Sequence, residues 1–148
     1  MFGAPIFLTV LLLSGGYAAW RGNRDARVIA AACFLATLAT RFAVQPLTDR
    51  YASVEQGLLL IDGLMLAVFV IVALRSDRFW PLWIAGLQLT SSLGHLLKAI
   101  DVSLVPQAYG AAIAFWSYPI LLILAVGTWR GHHRLRSHRD EAFVRHAV

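Results

Sequence analysis

The chain has 148 residues, of which 59% are hydrophobic and 14% charged, against about 45–50% and about 25% in an ordinary soluble domain. Long apolar runs separated by short charged hinges take up nearly the whole length, which excludes a soluble catalytic domain beside them. The formal charge of +5 and the pI near 10.1 do not indicate nucleic acid, because the arginines cluster at the ends of apolar runs rather than along one amphipathic face.

A bilayer core takes about 20 apolar residues to cross as a helix. In chain order, the runs at 2–20, 28–44, 57–74, 82–100 and 109–129 meet that length, the second and third near its lower limit. The first run is read as a retained span, since Arg21, Arg24 and Arg27 follow it and no Lys or Arg precedes it, the reverse of a secretory signal. The small residues in "GGYAAW" keep cleavage open as the lesser alternative. The second run holds the single cysteine, Cys33, so an intrachain disulfide is excluded and a cysteine metal site disfavoured. "WRGNRDAR", "LRSDRFWP" and "VPQAY" punctuate the runs. Unsatisfied backbone is intolerable in hydrocarbon, so helices follow. The predicted fold class is therefore an all-α membrane protein, a compact bundle of about five transmembrane helices over 1–130, with 131–148 as a basic cytoplasmic tail.

Orientation follows from the bases. With the N-terminus outside, Arg21, Arg24, Arg27, Arg75, Arg78, Arg130, Arg134, Arg136, Arg139 and Arg145 fall in the cytoplasm, ten of the thirteen basic residues. Arg41, Arg50 and Lys98 remain outside, so the positive-inside rule predicts N-out, C-in. Trp20, Trp80, Trp83 and Trp129 fall at the same cytoplasmic ends, where indole rings favour the headgroup zone. Ala32, Ala36 and Thr40 on the second run, and Gly110 and Ala114 on the fifth, allow backbones to approach closely, within the bundle or between copies.

The fourth run carries polar groups that a lipid-facing helix would not. At 100° per residue, Gln88, Ser91, His95 and Lys98 fall within an arc of about 80°, with leucines on the other faces. His95 stands roughly 7–8 Å below the predicted outer end. Asp62 is expected at a similar depth on the third run, and Arg41 about one turn below the outer end of the second. A lone carboxylate at that depth is costly, so pairing is expected. The preferred pairs are Asp62 with His95 or with Arg41, while Lys98 snorkels outward.

Arg41, Asp62, Gln88, His95 and Lys98 are thus the candidate ligand- or ion-binding residues. Two readings stand side by side: contacts that lock the register of the bundle, or an outward-open site for a small ligand, a proton or a lipid headgroup. Pro119 is expected to kink the fifth helix, and Trp116 and Tyr118 are secondary candidates for lining a pocket. In "RGHHRLRSH", neighbouring arginines oppose a cation, so His132, His133 and His138 do not form the preferred metal site. Arg130, Arg134, Arg136 and Arg139 are instead expected to meet anionic lipid headgroups. The end, "RDEAFVRHAV", is expected to be short and mobile. No metal and no cofactor is assigned.

"ALRSDRFWPLWIAGLQL" followed by "GHLLKAID", with "LLLIDGL" upstream, resembles a group of small bacterial multi-spanning inner-membrane proteins. The resemblance covers roughly residues 55 to 130 and implies a bacterial chain encoded as a free-standing small protein; no activity comes with it. No nucleotide loop, zinc helix or nucleophile elbow is present. The expected function is that of a non-enzymatic homo-oligomer or an accessory subunit of a membrane complex, with the bilayer and its anionic lipids as partners and no nucleic acid. The alternatives are a small channel or transporter using Asp62 and His95, and a membrane enzyme or haem protein.

Overall fold

A computed structural model describes residues 3–43, 53–100 and 106–146. These form five helices and no strands: α1 (Gly3–Arg21), α2 (Arg24–Ala43), α3 (Ser53–Arg75), α4 (Trp80–Ile100) and α5 (Pro106–His146). Each helix covers one of the five apolar runs, and the all-helical bundle is as expected. Each consecutive pair described as packing is in contact, and α5 returns to pack on α1. The five helices therefore close into a ring, with a lesser contact between α2 and α5 across it.

Local chemistry sets the corners. Between α1 and α2 only Gly22 and Asn23 intervene. A Cβ at Gly22 would run into the Ala18 carbonyl oxygen and stand 2.8 Å from the Ala26 Cβ, so only glycine fits this turn. Asn23 caps α2, its Oδ1 accepting from the Ala26 amide at 3.2 Å. Asp25 follows in the first turn, where negative charge suits the helix dipole. Pro81 and Pro106 sit at the starts of α4 and α5, where a missing amide hydrogen costs nothing.

The Asp25 carboxylate also leaves its own hinge. Its Oδ2 accepts from Ser76 Oγ at 2.6 Å and from Asn23 Nδ2 at 3.1 Å. Ser76 Oγ in turn accepts from the Arg78 amide at 3.2 Å. The α1–α2 and α3–α4 hinges are tied together at one end of the ring by this network. At the same end Arg21 lies 4.5 Å over the Trp20 ring and meets His132 Nε2 at 3.0 Å, joining α1 to α5.

Every helix sends at least one side chain into a shared core: Leu11, Ile29, Phe69, Ile84, and Leu121 with Leu124 are fully or almost fully buried. Outside, large apolar side chains stand exposed on each helix, among them Leu12, Leu35, Leu64, Leu89 and Leu122.

Two features of α5 add to what the apolar runs indicate. The fifth helix does not stop near the end of its apolar run; α5 continues to His146. Apolarity bounds how much helix a bilayer could cover, not how much helix forms, and from 132 to 146 the chain has no proline or glycine to stop it. The mobile end expected there is helical up to that residue. The helix also runs on through Pro119 without interruption. Among the described residues, one window, Gly57–Arg75 in α3, is long and apolar enough to cross a membrane.

Candidate functional site

The described part of the polar stripe on α4, Gln88 and Ser91, turns inward. Gln88 and Ser91 are 3% and 7% exposed, while Leu89, Leu93 and Leu96 face out. This follows from the 100° spacing: once one face of α4 packs on α3 and α5, the leucine faces have nothing to pack against.

Asp62 on α3 accepts a hydrogen bond at each carboxylate oxygen, from this stripe and from its neighbour. Gln88 Nε2 donates to Oδ1 at 2.6 Å, and Ser92 Oγ donates to Oδ2 at 2.8 Å. Of the expected pairs, the one with Arg41 is corrected; the one with His95 lies outside the described residues, since that side chain is not among them. Among the described residues no ion pair joins Asp62 to Arg41, and both carboxylate oxygens are taken by neutral donors. The reason is register. Asp62 stands 13 residues before the end of α3, and Ser92 12 residues after the start of α4, so the short hinge brings them level. His95 lies almost one turn further out on α4. The backbones of His95 and Lys98 belong to α4; their side chains fall outside the described residues, as do those of Arg136 and Arg139 on α5.

Beside the Asp62–Gln88 pair lies a cavity of about 560 Å³ to which all five helices contribute. Its walls are mostly apolar, with Phe7, Met65, Trp116 and Ile120 prominent. The polar groups on its lining are few: Arg41, Asp62, Gln88, Ser91, Ser117, Thr37 and Thr40. Thr37 and Thr40 donate their hydroxyl hydrogens to the Cys33 and Ala36 carbonyls, at 2.8 Å each, leaving only lone pairs to offer. Ser91, in contrast, is buried with no hydrogen-bond partner among the described residues. Arg41 is an exposed guanidinium at the wall. A chamber of this size, apolar with a few convergent polar groups, has the proportions of a small-molecule site.

The small residues Ala36 and Thr40 also line the chamber, so this part of the ridge makes room inside one chain. Trp116 lines it as well, whereas Tyr118 faces a different groove and meets Phe7 edge-on at 6.0 Å. On the other side of the chamber the fully buried Leu11, Phe69, Ile84 and Leu124 fill the ring. Ser92 as a partner of Asp62, and the Asp25–Ser76 tie, were not anticipated. The first was open to counting residues from the hinge; the second joins two hinges that no periodicity relates.

Fold and cavity together define a ring of five helices around a mostly apolar chamber with a carboxylate–amide pair in its wall. Compared with known protein families, curated proteins and solved structures, the chain matches none. No function is carried over from a relative, and among the described residues no group of three or more His, Cys, Asp or Glu could hold a metal.

Proposed function

We propose that the chain is a small multi-pass protein of the bacterial inner membrane, N-out and C-in. It works without chemistry of its own, as a homo-oligomer or as an accessory subunit of a membrane complex, and keeps a small guest in the chamber beside Asp62. One observation carries this reading: large apolar side chains stand exposed around the whole ring, while several polar ones lie inside with the apolar core. Gln88, Ser91, Ser14 and Thr128 are buried, while leucines from every helix are exposed. In water such a surface would aggregate; soluble chains rarely expose apolar patches beyond a few hundred Å². In lipid it is the expected arrangement. The apolar window of α3 is only 11% buried, unlike the core helix of a soluble domain. α1 carries no charge before Arg21, and ten of the thirteen bases gather at one end under this topology.

The test is native mass spectrometry on the full-length protein, extracted gently from its host's membranes after an alkaline wash. The reading expects the chain in the washed membranes, as a defined multiple of itself or bound to a second protein. A bare monomer in the soluble fraction would contradict it.

A second reading, a proton or solute carrier using Asp62 and His95, draws support from the polar groups of the chamber. Against it, apolar side chains fill the ring on the side of the hinge arginines. A flux in liposomes that is lost in Asp62→Asn would favour this second reading.

A further inference from the structure

At the arginine-rich end, a groove of about 590 Å³ runs between the start of α4 and the second half of α5. Arg78, Arg130 and Arg134 line one end of it, and Trp83, Leu122 and Val126 the other. From Leu122 to Arg134 along α5 the path is about 18 Å, at 1.5 Å per residue. We infer that this groove binds an anionic glycerophospholipid, its phosphate between the three guanidiniums and one acyl chain along the apolar wall. The inference rests on the membrane reading above.

Three features single the groove out from a general basic surface. First, α5 is notched to build it. A Cβ at Gly131 would stand 2.5 Å from Arg78 Nη1, and one at Gly127 would stand 2.6 Å from the Trp80 ring. The two glycines, four residues apart, let the Arg78 guanidinium and the Trp80 ring lie flat against the α5 backbone. Second, the charge is uncompensated. Asp77 is the one carboxylate among the lining residues, and none of the three arginines forms an ion pair among the described residues. Asp25, the other nearby acid, is engaged by Ser76 and Asn23. Converging guanidiniums are favourable around a phosphate, which accepts their paired N–H groups. Third, polarity runs along the groove. Leu122 is 64% and Trp83 62% exposed beyond the charged end, which suits a molecule with a phosphate at one end and a hydrocarbon chain at the other. A free phosphate would leave that wall bare.

The experiment uses the full chain in nanodiscs of phosphatidylcholine with a minor fraction of phosphatidylglycerol, released for native mass spectrometry. Phosphatidylglycerol is expected to remain bound in excess over its share of the disc. Each of Arg78→Gln and Arg134→Gln is expected to lower that retention about five-fold. Arg134 is exposed, so its variant keeps the test open should Arg78→Gln fail to fold. Gly131→Leu is expected to match Arg78→Gln, and Arg145→Gln to leave retention unchanged. Retention that follows the disc composition, or that survives both arginine variants, would overturn the inference. So would equal loss in Arg145→Gln, which would mean diffuse attraction, or displacement by millimolar inorganic phosphate, which would mean a free-anion site. A chain that never enters the discs would overturn the membrane reading itself, a result separate from all of these.

Discussion

At both ends of the ring a carboxylate is held by an amide and a serine hydroxyl, but the surroundings differ. At the chamber, one carboxylate is held by two neutral donors, Gln88 and Ser92, against a mostly apolar wall. At the hinge end, a carboxylate bridges two hinges among arginines that, among the described residues, form no ion pair. The first arrangement suits a place without water, where a polar group must be satisfied by the protein. The second suits a place where water and anions are at hand and excess charge is tolerable.

The largest effect is expected from the hinge end. Gly22→Leu forces a side chain into the Ala18 carbonyl and should cost about 3 kcal/mol or prevent folding, read as unfolding in mixed micelles. Next comes the chamber. Gln88→Leu removes one of the two donors to Asp62 and should cost about 2 kcal/mol, with Asp62→Asn costing less because it keeps shape and hydrogen-bonding capacity. If both variants are neutral, the pair is not a structural element of the chamber.

Asp25→Ala should cost about 1 kcal/mol by untying the hinges. That cost should shrink as salt is raised, whereas the cost of Gln88→Leu should not, since screening reaches only groups near water. Equal salt dependence at both sites would erase the contrast between the two ends. The smallest effect belongs to Thr90→Val, which loses only an exposed bond to the Gly86 carbonyl and should change stability by less than about 0.5 kcal/mol.

Much of this was open to a reader of the sequence alone, and the limits are physical. The α4 stripe was legible because helical periodicity converts spacing directly into a face, and Gln88 and Ser91 are indeed buried. The pairing of Asp62 with Arg41 was misread because depth was judged from the nearest charged groups. Hydrogen bonding selected by register instead, and the count back from the Ser76–Phe79 hinge leads to Ser92. Neutral Gln88 and Ser92 attract less notice in a sequence than Arg41 or His95, yet they can approach a carboxylate without bringing a second charge out of water. The length of α5 was not legible from apolarity, since a basic helix is still a helix. The fit of Arg78 against Gly131 joins residues 53 positions apart across two helices, and no local signal marks such a contact.

The central claim is that the outward leucines meet lipid while the polar residues face in. It is tested most directly by spin labels placed singly at Leu12, Leu35, Leu64, Leu89 and Leu122, one exposed leucine from each helix. The labels go into a Cys33→Ala background, in the reconstituted protein, and collision with oxygen is compared with collision with a water-soluble nickel complex. Oxygen is expected to dominate at all five positions. Dominance of the nickel complex at these leucines would contradict it, because the exposed face would then be one that meets water.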